Sequence, residues 1–246
     1  MYKIWFLLYA LMCASPLYAQ ETLKVAFGDR LAPWVIPEKS SGIILDIISE
    51  AMEPLGYRIK AEYLPYARRL KSYHLGLVDV VSDINPNTIE NERLQGFFSG
   101  DVYTYENYAF SLNKRNYRFN EIADLKDLRL LSWQGAVAHL GDEYAKMATN
   151  NPFYSETHDQ SAQVKLLFLE RVDVVQLDLQ IFKYYLAQEV YKGELNTSAK
   201  VDRFSLFGSS PNGFLFRSIK VRDDFIQQFN KMRIDGRYQK IIENYH

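Results

Sequence analysis

The chain has 246 residues, 48% of them hydrophobic, 24% charged and 15% aromatic. That is enough apolar material for one large core or two smaller ones, and it argues against a disordered chain. The formal net charge is −1 and there is no basic run, so no nucleic-acid partner and no charge-driven attraction to an anionic membrane are expected.

The chain opens MYKIWFLLYALMCASPLYAQE. Lys3 and the α-amine form a short positive region, Ile4 to Ala14 an apolar stretch, and Ser15, Pro16 and Ala19 a small-residue cleavage region. This is the pattern of a secretory signal peptide over residues 1–19, cleaved near Ala19. The apolar stretch is shorter than the roughly 20 residues of a spanning helix. An uncleaved anchor is the alternative. Cys13 is preceded by Ala10, Leu11 and Met12, which do not make a lipid-attachment site, and it is the single cysteine. Cleavage therefore leaves no cysteine and takes the formal charge from −1 to −2 by removing Lys3. Secretion without disulfides suits a bacterial periplasm.

In the mature chain, LKVAFG (23–28) reads as a buried strand and the proline-containing 31–41 as a loop. Residues 42–56 place apolar side chains at helical spacing and close on Pro54 and Gly56. YRIKAEY (57–63) alternates as a strand does, 65–76 is a helix with proline at its start and glycine at its end, and 78–83 is a third strand. Residues 87–94 form a helical turn capped by Asn87 or Thr88, and 102–114 a long extended aromatic run. A short helix at 121–127, a strand at 129–133, a helix at 137–148, a strand at 153–158, a helix at 160–170, a strand at 171–178 and a helix to 191 repeat the β-α-β-α-β rhythm. The segment 201–218 holds two strands around a Gly-Ser-Pro-Asn-Gly turn, and helices at 221–233 and 235–245 finish the chain. Two α/β lobes with mainly parallel sheets follow from this alternation.

The order of these motifs resembles the family 3 extracytoplasmic solute-binding proteins, the periplasmic receptors of polar amino acid ABC transporters. The resemblance covers residues 22–246 and is carried by LKVAFGDRLAPW, SGIILDIISEAMEPLGY, YARRLKSYHLGLVDVV, TIENERLQGFFSGDVY, ADLKDLRLLSWQGA, RVDVVQLD and IDGRYQKIIENYH. It implies the two-lobe, type II periplasmic-binding-protein fold, each lobe a mainly parallel sheet flanked by helices, with the ligand cleft between lobes. It further implies one lobe over 20–110 with 212–246 returning to it, a second over 111–211, and a hinge of two strands near 105–112 and 204–212.

The same resemblance implies a set of ligand-binding residues. Arg93 stands where the family holds a ligand carboxylate, a role that suits a planar guanidinium; the spacing from Arg93 to the next Phe-Ser is one residue short. Tyr66 stands where an aromatic packs on the ligand. Arg68 and Arg69 are adjacent and cannot share a helix face; the Pro-aromatic-x-Arg pattern assigns Arg68 to the cleft. Asn85 and Thr88 can bond a ligand or cap a helix. Asp178 stands where the family's acid receives the ligand amine, and it can also cap the following helix. Trp34 and Trp133 are the candidate cleft aromatics, because Leu31 replaces the usual aromatic before Ala-Pro. The second-lobe hydroxyl turn is Gly135-Ala136-Val137, without a hydroxyl. These departures bear on whether an amino acid is the ligand.

Enzyme motifs are absent from the sequence: no Gly-x-Ser-x-Gly elbow, phosphate loop or His-Glu-x-x-His, and four histidines without metal-site spacing. No cofactor is expected. The expectation is a non-enzymatic, monomeric receptor for a small polar solute, an amino acid or related carboxylate, delivered to an ABC transporter permease. The alternatives are a dehydratase-type enzyme on the same scaffold and the ligand-binding partner of a membrane sensor.

Overall fold

In the computed structural model, which describes residues 21–29, 31–193 and 195–245, the first lobe is built on β1 (Glu21–Phe27), β2 (Tyr57–Tyr63) and β3 (Val80–Ile84). β1 pairs in parallel with both of the others. The segment read as a signal peptide lies outside the described residues. Helix α1 (Ile43–Met52) forms because its apolar residues recur at helical spacing, and Ile43, Ile44, Ile47, Ile48, Ala51 and Met52 are all fully buried. Each buried isoleucine contributes about 2 kcal/mol of transfer free energy. The face packs on β1 residues Val25 and Phe27 and on Phe225, Phe229 and Met232 from α8 (Ile219–Asp235).

Helix α2 (Tyr66–His74) precedes β3, and α3 (Pro86–Asn91) follows it. The cap of α3 is Asn85, with Pro86 at the first helical position, two or three residues earlier than the sequence suggested. A two-residue strand β4 (Phe97–Phe98), which the sequence reading did not contain, leads to β5 (Tyr103–Leu112).

The second lobe holds β6 (Leu130–Trp133), β7 (Tyr154–Thr157) and β8 (Val174–Asp178), with β6 parallel to both neighbours. The helix expected at 137–148 is two pieces, α4 (Ala136–His139) and α5 (Asp142–Thr149). Gly141 at φ 90° separates them, a conformation that ends a right-handed helix. Helices α6 (Gln160–Phe168) and α7 (Leu179–Lys192) follow the expected pattern.

The Ser-Pro-Asn-Gly stretch corrects the sequence reading. It lies inside a strand, β10 (Ser209–Phe216), and not in a turn between paired strands. β9 (Val201–Phe204) and β10 both pair with β5 and not with each other. Ser209–Asn212 pair with Tyr103–Glu106 of β5, while Gly213–Phe216 pair with β3 and β4. β5 and β10 thus join the sheets of the two lobes into one path ordered β2-β1-β3-β10-β5-β8-β6-β7. Helix α9 (Arg237–Glu243) closes the chain on the first lobe, where the Tyr245 hydroxyl donates to Asp46 at 2.6 Å and accepts from the Gly42 amide at 2.7 Å.

Candidate ligand-binding site

Where β5 and β10 cross, the lobes enclose a cavity of about 560 Å³. Strand alternation places Tyr105 and Asn107 of β5 on the same face, turned to this space. Asn212 and Ser210 enter from β10, Leu31 from the loop after β1, and Trp133, His139 and Gln160 from the second lobe. A wider space of about 690 Å³ shares Leu31, Trp133 and Gln160 with it and opens past Asp29, Glu38 and Asp159.

Asp178 lies in the floor, 4% exposed. It ends β8 and caps α7: its Oδ1 accepts from the amides of Gln180 (2.9 Å) and Ile181 (3.2 Å). The same oxygen accepts from Trp34 Nε1 at 2.8 Å, a bond from the first lobe to the second. Oδ2 accepts from the Glu106 amide at 2.9 Å. Burial pushes its carboxyl up to about 6, against the opposing pull of the Trp34, Glu106, Ile181 and Gln180 hydrogen bonds.

Behind Tyr105 lies a second buried polar group. Arg69 of α2, 5% exposed, forms an ion pair with Asp83 at the end of β3. Asp83 also accepts from the hydroxyls of Tyr105 (2.5 Å) and Tyr103 (3.0 Å) on its Oδ1 and from Ser82 (3.1 Å) on its Oδ2. Burial alone would lower the ionisation range of Arg69, but the Asp83 carboxylate outweighs it and keeps the guanidinium charged. Burial and the same carboxylate push both tyrosines well above their ordinary range. Trp34 meets Tyr105 edge-on, ring centroids 4.8 Å apart at 74°. The network ties α2, β3 and the crossing strand β5 into one unit.

On the second-lobe wall, Trp133 and His139 lie with ring centroids 5.5 Å apart, and His139 Nδ1 is 2.8 Å from the Gly135 carbonyl. The Gly135 and Val137 amides, at the start of α4, donate to the Glu156 carboxylate at 2.8 and 3.1 Å, and the Tyr154 hydroxyl donates to it at 2.8 Å. Burial opposes ionisation of Glu156, but these three bonds prevail and hold its carboxyl below the usual range.

The residues singled out from the sequence are distributed unevenly around this site. Asp178 and Trp133 line the cavity. Trp34 is 2% exposed and stands behind Tyr105, touching the cavity wall without forming it. Asn85 is one bond removed: its Oδ1 accepts from the Thr88 amide and hydroxyl, and its Nδ2 donates to Asn212 Oδ1 at 3.3 Å. Tyr66 is 48% exposed, Arg68 and Arg93 are exposed, and none of the three lines either space. Arg93 sits at φ 51°, just past the end of α3, in the turn that leads the chain away from the helix.

Of the two adjacent arginines, the structure turns Arg69 inward and leaves Arg68 in solvent. Arg69 lies four residues before the buried Tyr73 and so shares its helix face; that spacing was the available signal. His139, Asn107, Phe207 and Asn212 had none, because their place depends on how the lobes meet. Among the described residues, no group of histidine, cysteine and acidic side chains is arranged to hold a metal, and no helix is long and apolar enough to cross a membrane.

No family model and no curated protein matches the chain. Solved structures match over nearly all of it. An ancestral cationic amino acid solute-binding protein aligns at a TM-score of 0.69 and 16% identity, over 91% of this chain and 95% of its own. An ancestral arginine-binding protein bound to arginine aligns at 0.64 and 20% identity, over 93% and 99%. A histidine kinase sensor domain with similarity to periplasmic binding proteins aligns at 0.63 and 15%, over 92% and 96%. The fold is therefore the two-lobe, type II periplasmic-binding-protein fold, as expected from the sequence.

Proposed function

We propose that the protein is an extracytoplasmic receptor that captures one small organic solute between its lobes. The observation that carries this reading is the cavity of about 560 Å³ at the seam of the lobes, walled by aromatic rings and amides over one buried carboxylate. Its size and mixed lining suit a small-molecule site. β5 and β10 carry the chain between the lobes, and flexing there would close the cleft as the lobes turn as rigid bodies. On this reading the lobes divide at residues 20–110 with 212–246, and 111–211. The chain is exported on a signal peptide cleaved after Ala19, works as a monomer in the periplasm, and presents its closed form to an ABC transporter permease. It binds without turning its ligand over.

The likeness to amino-acid-binding proteins supports the receptor reading. The likeness to a histidine kinase sensor domain supports a second one, in which closure signals to a membrane sensor and not to a permease.

The test is a thermal-shift screen of residues 20–246, stripped of ligand by partial unfolding, against amino acids, amines, carboxylates and sugars. A ligand at 100 times its Kd adds about 2.7 kcal/mol, a shift of several degrees for a chain of this size. A shift confined to one ligand class supports the receptor. Chemical conversion of that ligand in the same samples replaces the receptor with an enzyme, and no shift from any class removes the reading.

A further inference from the structure

We infer that the cleft takes an organic ammonium compound that carries no carboxylate. This rests on the receptor reading above and names the chemistry of its ligand.

Three sets of observations converge on it. First, Arg69, Arg93 and the amides at the start of α4, which could pair with a ligand carboxylate, are already committed or lie elsewhere. The Arg69 guanidinium is bound to Asp83. The Gly135 and Val137 amides, beside Trp133 and His139, hold the chain's own Glu156. Arg93 is exposed and lines neither space. Among the described residues lining the two spaces there is no lysine or arginine.

Second, among the described residues that line the two spaces, every side chain with a formal charge is acidic, His139 and His158 being counted as neutral. Asp178 faces the inner cavity, and its Oδ2 accepts one hydrogen bond, from the Glu106 amide, where a carboxylate oxygen accommodates two. Asp29, Glu38 and Asp159 border the wider space outside it. A buried carboxylate favours an entering cation and repels an entering anion, and it does so more strongly as closure excludes water.

Third, the walls suit a cation with an apolar body. Trp133, Tyr105 and Phe207 line the inner cavity with aromatic rings, and Leu31, Leu140 and Ile181 add aliphatic surface. An ammonium beside aromatic faces gains from the ring quadrupole, and its alkyl or aryl body is buried against the aliphatic side chains.

The experiment is isothermal titration of the mature, ligand-stripped chain with matched pairs: agmatine and arginine, cadaverine and lysine, tyramine and tyrosine, histamine and histidine. Each pair differs by the carboxylate alone. At least one amine should bind at least tenfold tighter than its parent amino acid. Arg30 lies outside the described residues, and the wild-type comparison includes whatever charge it brings. Asp178→Asn should weaken that amine at least tenfold while changing the parent amino acid less; should this variant fail to fold, the wild-type pairs decide alone. If compounds bind but in no pair is the amine at least tenfold tighter than its parent amino acid, the inference is overturned and the receptor stands. Binding of neither series, together with a blank result in the wider solute screen, overturns both.

Discussion

Asp178 is a buried acid that the fold holds without a cation among its hydrogen-bond partners, and its cost should be measurable as a pH dependence of stability. Its four donors are the Trp34 indole and three backbone amides, none of them charged. The carboxyl is pushed up from 3.8 to about 6, so the folded chain keeps a proton that the unfolded chain releases. The protonated acid's stabilising contribution is fully present below pH 4 and is lost as pH rises through 6. Over pH 4.5 to 7.5 the loss is about 2 kcal/mol, at 1.36 kcal/mol per unit of displacement. Asp178→Asn keeps an oxygen for Trp34 and the α7 cap but turns an amide nitrogen toward the Glu106 amide, a cost that is the same at every pH. Urea denaturation of both proteins across this range should show the stability difference moving by about 2 kcal/mol in favour of the variant as pH rises. Other titrating groups cancel in that difference. A gap that stays constant with pH would refute the reasoning.

The remaining expectations concern the surroundings of the site. Arg69→Met leaves the Asp83 carboxylate buried with only hydroxyl partners and should cost about 3–5 kcal/mol in urea denaturation, much of it recovered when Asp83→Leu is added. Gly42→Ala should cost about 3 kcal/mol by the same assay, because φ is 135° there and a Cβ would fall 2.6 Å from the Trp34 carbonyl oxygen. Arg93→Ala should leave ligand affinity, measured by titration calorimetry, within about 0.5 kcal/mol of wild type, as for an exposed side chain outside the cavity.

Much of the fold was legible because local pattern and tertiary role agree. The isoleucines of α1 recur at helical spacing and are the residues the core buries. The alternation at 57–63 is a strand in register with β1 from end to end. The misreadings arose where tertiary structure overrides local chemistry. Ser209-Ser210-Pro211-Asn212-Gly213 has the composition of a turn, yet it is the part of β10 that crosses between lobes. Gly213 is needed there because the Gly100 backbone and the Ser99 side chain crowd the space a Cβ would take.

The site was legible in part for the same reason. Asp178 and Trp133 end strands whose pattern is clear, so their place at the C-terminal ends of strands could be read. Trp34 was drawn inward by its indole bond to Asp178 and its packing on Tyr105. Arg69 and Asp83 are far apart in local pattern and meet through α2 and β3. Phe207 and Gly208 reach the cavity from the connection between β9 and β10, whose course is set by the pairing of both strands with β5.

The central claim is capture by closure of the two lobes around a solute at the β5–β10 crossing. Small-angle X-ray scattering of the mature chain, with and without a saturating amount of the ligand found by titration, tests it most directly. The account expects a smaller radius of gyration in the bound protein. An unchanged radius under conditions where calorimetry shows the site filled would contradict it.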